Sequence, residues 1–243
     1  MIIYGRNAIL ESLKANKAVF VIYAHEGQKT KPSEILALAH KAHTKVNFVD
    51  KATLNNLAKT EHHQGYVAEI EDYAYCEIED ILALAQSKGQ QPFVVMLDGV
   101  EDPHNLGSIL RVCECAGVHG VIIPKYRACP INETVAKTSA GALGHILISR
   151  VSNLNNTIKK LKQNGMWVYA VELGGDDIYK QNLQGDLCLV VGSEGDGISQ
   201  LVKKNCDGIL TLPMFGKVNS LNASVACGVA VFEAVRQRRK NAG

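Results

Sequence analysis

The sequence predicts an α/β protein built around a mostly parallel sheet, on three observations. Short apolar runs recur at residues 93–97, 120–123, 167–171, 187–191 and 209–212. They are continuous rather than alternating, as in strands buried on both faces. Helical patterns separate several of these runs, as crossover connections between parallel strands require. Finally, polar, glycine-containing loops follow three of the runs, at the strand ends where open α/β sheets bind ligands.

In chain order, residues 7–15 read as a helix and 19–24 as a β-rich apolar run. Ser33 is placed to cap a helix ending near residue 41, with Ile35, Leu36, Leu38 and Ala39 apolar. Residues 45–50 alternate as a half-buried strand, 51–59 read as helix and 65–70 as strand. His62, His63 and Gln64 precede that last strand, and a polar turn suits them better than a contact with RNA. These elements form a small α/β domain, residues 1–74. Residues 69–80 then hold six acidic and no basic residues, and a Gly/Gln-rich stretch runs up to Pro92. Residues 75–91 are therefore read as a linker with one short helix, and residues 92–243 as the second domain.

The 243 residues suffice to bury a sizeable core. At 47% hydrophobic and 21% charged residues, the composition is that of a soluble globular protein. With 26 basic against 24 acidic residues the chain lacks the bulk charge of a general polyanion binder, so a nucleic-acid surface must be a local patch. Arg236, Arg238, Arg239 and Lys240 offer one, although a solvated helix end favoured by the dipole explains them equally well. No apolar run has the length of a membrane span, and the amino-terminal residues do not read as a signal peptide. The seven cysteines include no CxxC pair, Cys113 and Cys115 do not share a helix face, and His40 and His43 have no further ligands near them. Reduced thiols in a cytoplasmic protein without a metal site are the expectation.

The three loops carry the chemistry. The first runs from Asp98 through Asp102-Pro103-His104-Asn105 to Arg111. Asn105 is read as the cap of a helix ending at Gly117; Gly107 and Arg111 share a face, and the arginine leans back toward the helix start. The second is Gly192-Ser193-Glu194-Gly195-Asp196-Gly197, where glycines around a carboxylate let the backbone approach a ligand closely. It matches neither the dinucleotide-binding nor the P-loop fingerprint. The third, Leu212 to Val225, joins an apolar run to the last helix through Pro213, Gly216 and the polar side chains of Asn219, Ser220, Asn222 and Ser224.

In order and spacing, Asn105-x-Gly107-x-x-x-Arg111, Gly192-x-Glu194-x-x-Gly197, and Leu212-Pro213-Met214-x-Gly216 with Ser220-Leu221-Asn222-x-Ser224-Val225-Ala226 resemble the three motifs of the SpoU/TrmH family, RNA ribose 2′-O-methyltransferases of the SPOUT superfamily. Gly5-Arg6-Asn7-Ala8 and His63-Gln64-Gly65 resemble the family's ribosomal-protein-like RNA-binding domain. With both domains, the chain is similar to the bacterial enzymes that methylate a guanosine ribose of 23S rRNA. The resemblance implies a carboxyl-terminal trefoil knot, a homodimer whose active site draws on both subunits, and S-adenosyl-L-methionine as cofactor. It assigns Gly192, Leu212, Met214 and Leu221 to the cofactor, and Arg111, Asn105, Glu194, Ser220 and Asn222 to catalysis. Arginine stays protonated in proteins, so Arg111 is read as positioning the 2′-hydroxyl or a phosphate, its action as base being a hypothesis. Gly144 departs from the pattern, where a larger residue is expected.

Overall fold

A run of alternating strand residues needs a cover on each face, and the first part of the chain supplies both from short helices. The computed structural model describes all residues except 16–18, 31, 72, 218–219 and 240–243. They divide into two compact units. In the first, β1 (Ile2–Tyr4), β2 (Val19–His25), β3 (Lys45–Val49) and β4 (Tyr66–Ile70) lie in the order β1-β4-β2-β3. β4 runs antiparallel to its neighbours, and β2 pairs with β3 in parallel. α3 (Lys51–Ala58) sets Leu54 and Ala58 against Val67, Ile2, Tyr4, Tyr23 and Val49. Ile3, between the half-buried Ile2 and Tyr4, points to the other face and is fully buried. α1 (Arg6–Lys14) and α2 (Glu34–Lys41) pack on each other. Ser33 stands at the start of α2, but its hydroxyl pairs with the Tyr66 hydroxyl at 2.9 Å instead of capping the helix.

His63 and Gln64 build the turn into β4. The His63 ring is 3% exposed; its Nδ1 accepts the Gly65 N–H at 3.0 Å, so its Nε2 donates to Asn55 Oδ1 at 2.8 Å. Gln64 accepts the Arg6 N–H through Oε1 at 3.0 Å. A second stretch of chain, Pro130–His145, also belongs to this unit. Its helix α6 (Glu133–Thr138) packs on β1 and α1, with the Lys137 ammonium 4.7 Å from the centre of the Tyr4 ring. Gly144 sits where a Cβ would come within 3.2 Å of Ala15 Cβ, so a larger residue there requires the end of α1 to give by a few tenths of an ångström.

The second unit, Tyr75–Cys129 with Ile146–Gly243, holds a six-stranded sheet. Its strands are β5 (Phe93–Asp98), β6 (Gly120–Pro124), β7 (Leu147–Val151), β8 (Trp167–Asp177), β9 (Leu187–Gly192) and β10 (Gly208–Thr211). They lie in the order β10-β8-β9-β5-β6-β7, and the pairings are parallel. α4 (Ile78–Ser87), α7 (Leu154–Gln163) and α8 (Gln200–Asn205) cover one face, closing on Val94, Met96, Ile122, Val168 and Val190. α5 (Pro103–Cys115) and α9 (Ala223–Arg239) pack together; α5 also contacts β6, and α9 contacts β8 and β9. Cys113 and Cys227 are fully buried, and Cys115 is exposed.

Several readings of the sequence need correction. The helix in residues 75–91 is α4, and it is no tether: Ile78 and Ile81 belong to the core of the sheet. β7 is a strand that the sequence did not announce, because Ser149 and Arg150 interrupt its apolar run. β8 continues to Asp177 past the apolar run, pairing Asp176 and Asp177 with Leu210 and Thr211 of β10. The cap of α5 is Asp102, not Asn105: its Oδ2 accepts the Asn105 N–H at 2.9 Å, and Pro103 takes the first helical position, where a missing N–H costs nothing. Of the last arginines, Arg239 is exposed, and the other two are engaged. Arg236 is paired with Glu233. Arg238 lies 4.7 Å from the centre of the Phe93 ring and donates to the carbonyls of Gln91, Pro92 and Gly185. Lys240 lies outside the described residues.

Candidate functional site

Strand order reverses between β5 and β9: from β5 the chain builds outward through β6 and β7, whereas β9 leads to β8 and β10. Asp98 and Gly192, the last residues of these two strands, are register partners. The loops that follow them diverge and open a crevice at their carboxyl ends, the switch point at which α/β sheets bind ligands. The third loop reaches the same place from β10. All three predicted loops therefore converge.

Their polar side chains meet in a closed triangle. Asn105 Nδ2 donates to Glu194 Oε1 at 2.8 Å, and Asn222 Nδ2 donates to Asn105 Oδ1 at 2.8 Å and also to Glu194 Oε1. Because Asp102 does the capping, the Asn105 side chain is free for this contact. Asn222 Oδ1 meanwhile accepts the N–H groups of Ser224 at 3.0 Å and Val225 at 3.3 Å, as a cap does for the first turn of α9. One side chain thus fixes a helix start and two loops.

Beside the triangle lies a pocket of about 440 Å³, within the range of small-molecule sites. Gly192, Leu212, Met214 and Leu221 line it, together with Ser220 and Glu194. Gly192 is required by its surroundings: a Cβ there would come within 2.3 Å of the Gly197 carbonyl carbon. Ser193 and Gly197 exchange backbone hydrogen bonds at 3.2 and 3.3 Å, which closes the loop back on itself. Apolar side chains, close backbone and the carboxylates Glu172, Glu194 and Asp196 suit a flat heterocycle attached to a positively charged group. No group of three metal-ligating side chains gathers among the described residues.

Arg111 stands apart. It follows Asn105 on α5, is exposed, lines neither this pocket nor its neighbour, and makes no hydrogen bond or ion pair among the described residues. The expectation for Asn219 falls outside the described residues.

Two carboxylates that the motifs do not contain clamp the second loop. Glu172, on β8, accepts the Ile198 N–H at 3.0 Å and the Lys203 ammonium at 2.7 Å. Asp98, on β5, accepts the Ser199 N–H at 2.8 Å. Their signal in the sequence was position alone: each carboxylate directly follows an apolar run, where a side chain leaves the sheet.

Residues 92–232 match the SpoU rRNA methylase family, and residues 2–76 match the RNA 2′-O ribose methyltransferase substrate-binding family. YacO of Bacillus subtilis, whose name assigns it to the TrmH family of tRNA/rRNA methyltransferases, is 41% identical over 97% of this chain and 95% of its own. A Staphylococcus aureus protein with the same family assignment is 43% identical over 98% and 96%. Among solved structures, the SpoU methyltransferase AviRb of Streptomyces viridochromogenes in complex with AdoMet superposes with a TM-score of 0.84 at 24% identity, over 99% of this chain and 91% of its own. An AdoMet-bound rRNA methyltransferase of Sinorhizobium meliloti gives 0.81 at 24% identity, over 97% and 86%. At that identity the likeness speaks for the fold, whereas the family matches and the 41% relative speak for descent. The chain belongs to the SpoU rRNA methylase family.

Proposed function

We propose that the protein transfers a methyl group from S-adenosylmethionine to the ribose 2′-oxygen of a guanosine in 23S rRNA, as a cytoplasmic homodimer. The observation that carries the reading is the Asn105–Glu194–Asn222 triangle at the edge of the pocket lined by Gly192, Leu212, Met214 and Leu221. When bound, the cofactor supplies a methyl group on a sulfonium, already a strong electrophile. What the chain must add is alignment of the ribose oxygen and help with its proton.

Leu212, Met214 and Leu221 would hold the adenine, with the backbone of residues 192–197 beside it. The triangle keeps the three loops in one arrangement, and Ser220 contributes a hydroxyl to the wall. Arg111 orients the 2′-hydroxyl or the adjoining phosphate. α9 belongs to the trefoil knot of the family; Asn222 at its start, reaching back to two earlier loops, supports that path.

Two features support the dimer. Arg111 lines neither pocket of its own chain, which fits a site completed by a second subunit. α9 also leaves Val225, Val229 and Phe232 exposed along one stripe, at 49%, 37% and 49%.

The relatives' names cover tRNA as well as rRNA, and the second reading takes a tRNA as the acceptor. Mapping ribose methylation across 23S rRNA and tRNA in a strain lacking the protein decides between them. Loss of one 23S guanosine methyl group is the expected result. Loss at a tRNA position would overturn the assignment to 23S rRNA, and an unchanged map would overturn the enzyme.

A further inference from the structure

A second pocket, of about 320 Å³, adjoins the cofactor pocket along the loop that carries Ser193 to Asp196. The two share Ser193, Glu194, Gly195, Asp196 and Ala223, so ligands in both would lie side by side. The charged residues lining it are Glu101, Asp102, Glu194 and Asp196, with Arg127 the sole cation among them. Carboxylates accept hydrogen bonds and repel anions, so the interior suits a neutral group rich in O–H and N–H donors. Arg127 suits one anion alongside it. A sugar and base with a single phosphodiester has that distribution.

We propose that this pocket receives the acceptor nucleotide, and that Arg127 takes its phosphate in exchange for Asp196. The proposal rests on the methyltransferase reading. Arg127 Nη2 lies 3.8 Å from Asp196 Oδ2, with the side chains 69% and 87% exposed. Such a loose, hydrated pair yields readily to a phosphate, which an arginine can grip through two parallel hydrogen bonds.

The backbone at Arg127 is left-handed, with a φ of +56°, as it also is at His43, Lys59, Gln64 and Ala140, and such a residue needs its surroundings to hold it. The turn is pinned on both sides. The Lys125 N–H donates to Val151 O at 2.7 Å, and the Lys125 carbonyl accepts from Arg150 Nη2 at 3.0 Å. Beyond the turn, the Cys129 N–H donates to Val100 O at 3.1 Å. Tyr126, between Lys125 and Arg127, is 70% exposed, with the Lys125 ammonium 5.8 Å from its ring centre. An exposed aromatic ring among cations is a platform for an unstacked base of the same RNA.

The test is steady-state kinetics on the RNA that the wild-type protein methylates, together with cofactor binding by calorimetry. Arg127→Ala should raise the KM for RNA by about tenfold with kcat and cofactor affinity nearly unchanged, and Arg127→Lys should recover only part of that loss because it lacks the fork. Asp196→Asn should lower the KM, since it removes the competing anion. An unchanged KM in Arg127→Ala, or cofactor affinity falling in step with it, overturns the assignment. So does a normal KM in Arg127→Gly, which relaxes the backbone without restoring charge. A wild-type protein that methylates no RNA would sink the methyltransferase reading itself, whereas these variant results leave it standing.

Discussion

Asn222 has both of its side-chain functions in use: its oxygen holds the start of α9, and its amide holds Asn105 and Glu194. Asn222→Ala should remove a helix cap worth about 1 kcal/mol and release the other two members of the triangle. Misplacement on the ångström scale costs roughly 100-fold in rate, so turnover should fall by about that much. Initial methylation rates within a few-fold of wild type would show that the triangle is dispensable. Arg111→Ala should separate the two functions of the site, with adenosylmethionine binding intact in calorimetry and turnover collapsing. The motif residues were legible because amides and carboxylates at strand ends are costly as core, and their register with a known family fixed their number. The partnership was not legible. Asn and Asp cap helices alike, and only the structure shows Asp102 capping α5 and Asn105 turned toward Glu194.

Among the elements, the β9–α8 loop shows how neighbouring strands shape a binding site. Glu172 from β8 and Asp98 from β5 hold successive backbone N–H groups, those of Ile198 and Ser199, so the loop is pulled from both sides of its own strand. Glu172→Ala should loosen that grip and leave Lys203, whose side chain is only 16% exposed, without its carboxylate. Cofactor affinity should fall by about tenfold, the worth of a charge-assisted hydrogen bond. Calorimetry showing unchanged affinity would mean that Asp98 suffices. The fully apolar strands were readable because burial on both faces leaves continuous runs in the sequence. β7 and the outer half of β8 were not, since polar residues there pair along the sheet without entering the core. α4 shows the converse: acidic residues suggested a tether, yet Ile78 and Ile81 decide its place.

At the scale of the molecule, two buried histidines tie stability to pH. Burial lowers the pKa of His63 and of His119 below the ordinary 6.5, and nearby cations lower them further. His119 Nδ1 accepts the Phe93 N–H at 3.0 Å, which requires that nitrogen to be unprotonated. Below about pH 6.5 the unfolded chain takes up protons that the folded one refuses, so stability is complete above that pH and falls on acidification. Thermal melting should therefore drop between about pH 7.5 and 5.5, and His119→Asn should flatten the slope. A slope unchanged in that variant would place the effect elsewhere. Association belongs to this scale too. The proposed dimer predicts that Phe232→Glu, on the exposed stripe of α9, gives monomers in sedimentation and lowers turnover while each chain remains folded; a wild type that sediments as a monomer would overturn the dimer.

The amino-terminal unit takes α6 from the middle of the chain. During synthesis its sheet is complete once β4 has emerged, yet its cover is not, because β5, α5 and β6 must be made before the segment ending at His145 arrives. Contacts so distant along the chain close slowly. Ile3, Ala8 and Ser12, beside which Ala136 and Leu143 settle, must wait for them on the ribosome. A fragment ending near residue 76 would keep its strands and lose part of its cover, so separating the two units at that residue is not a clean cut.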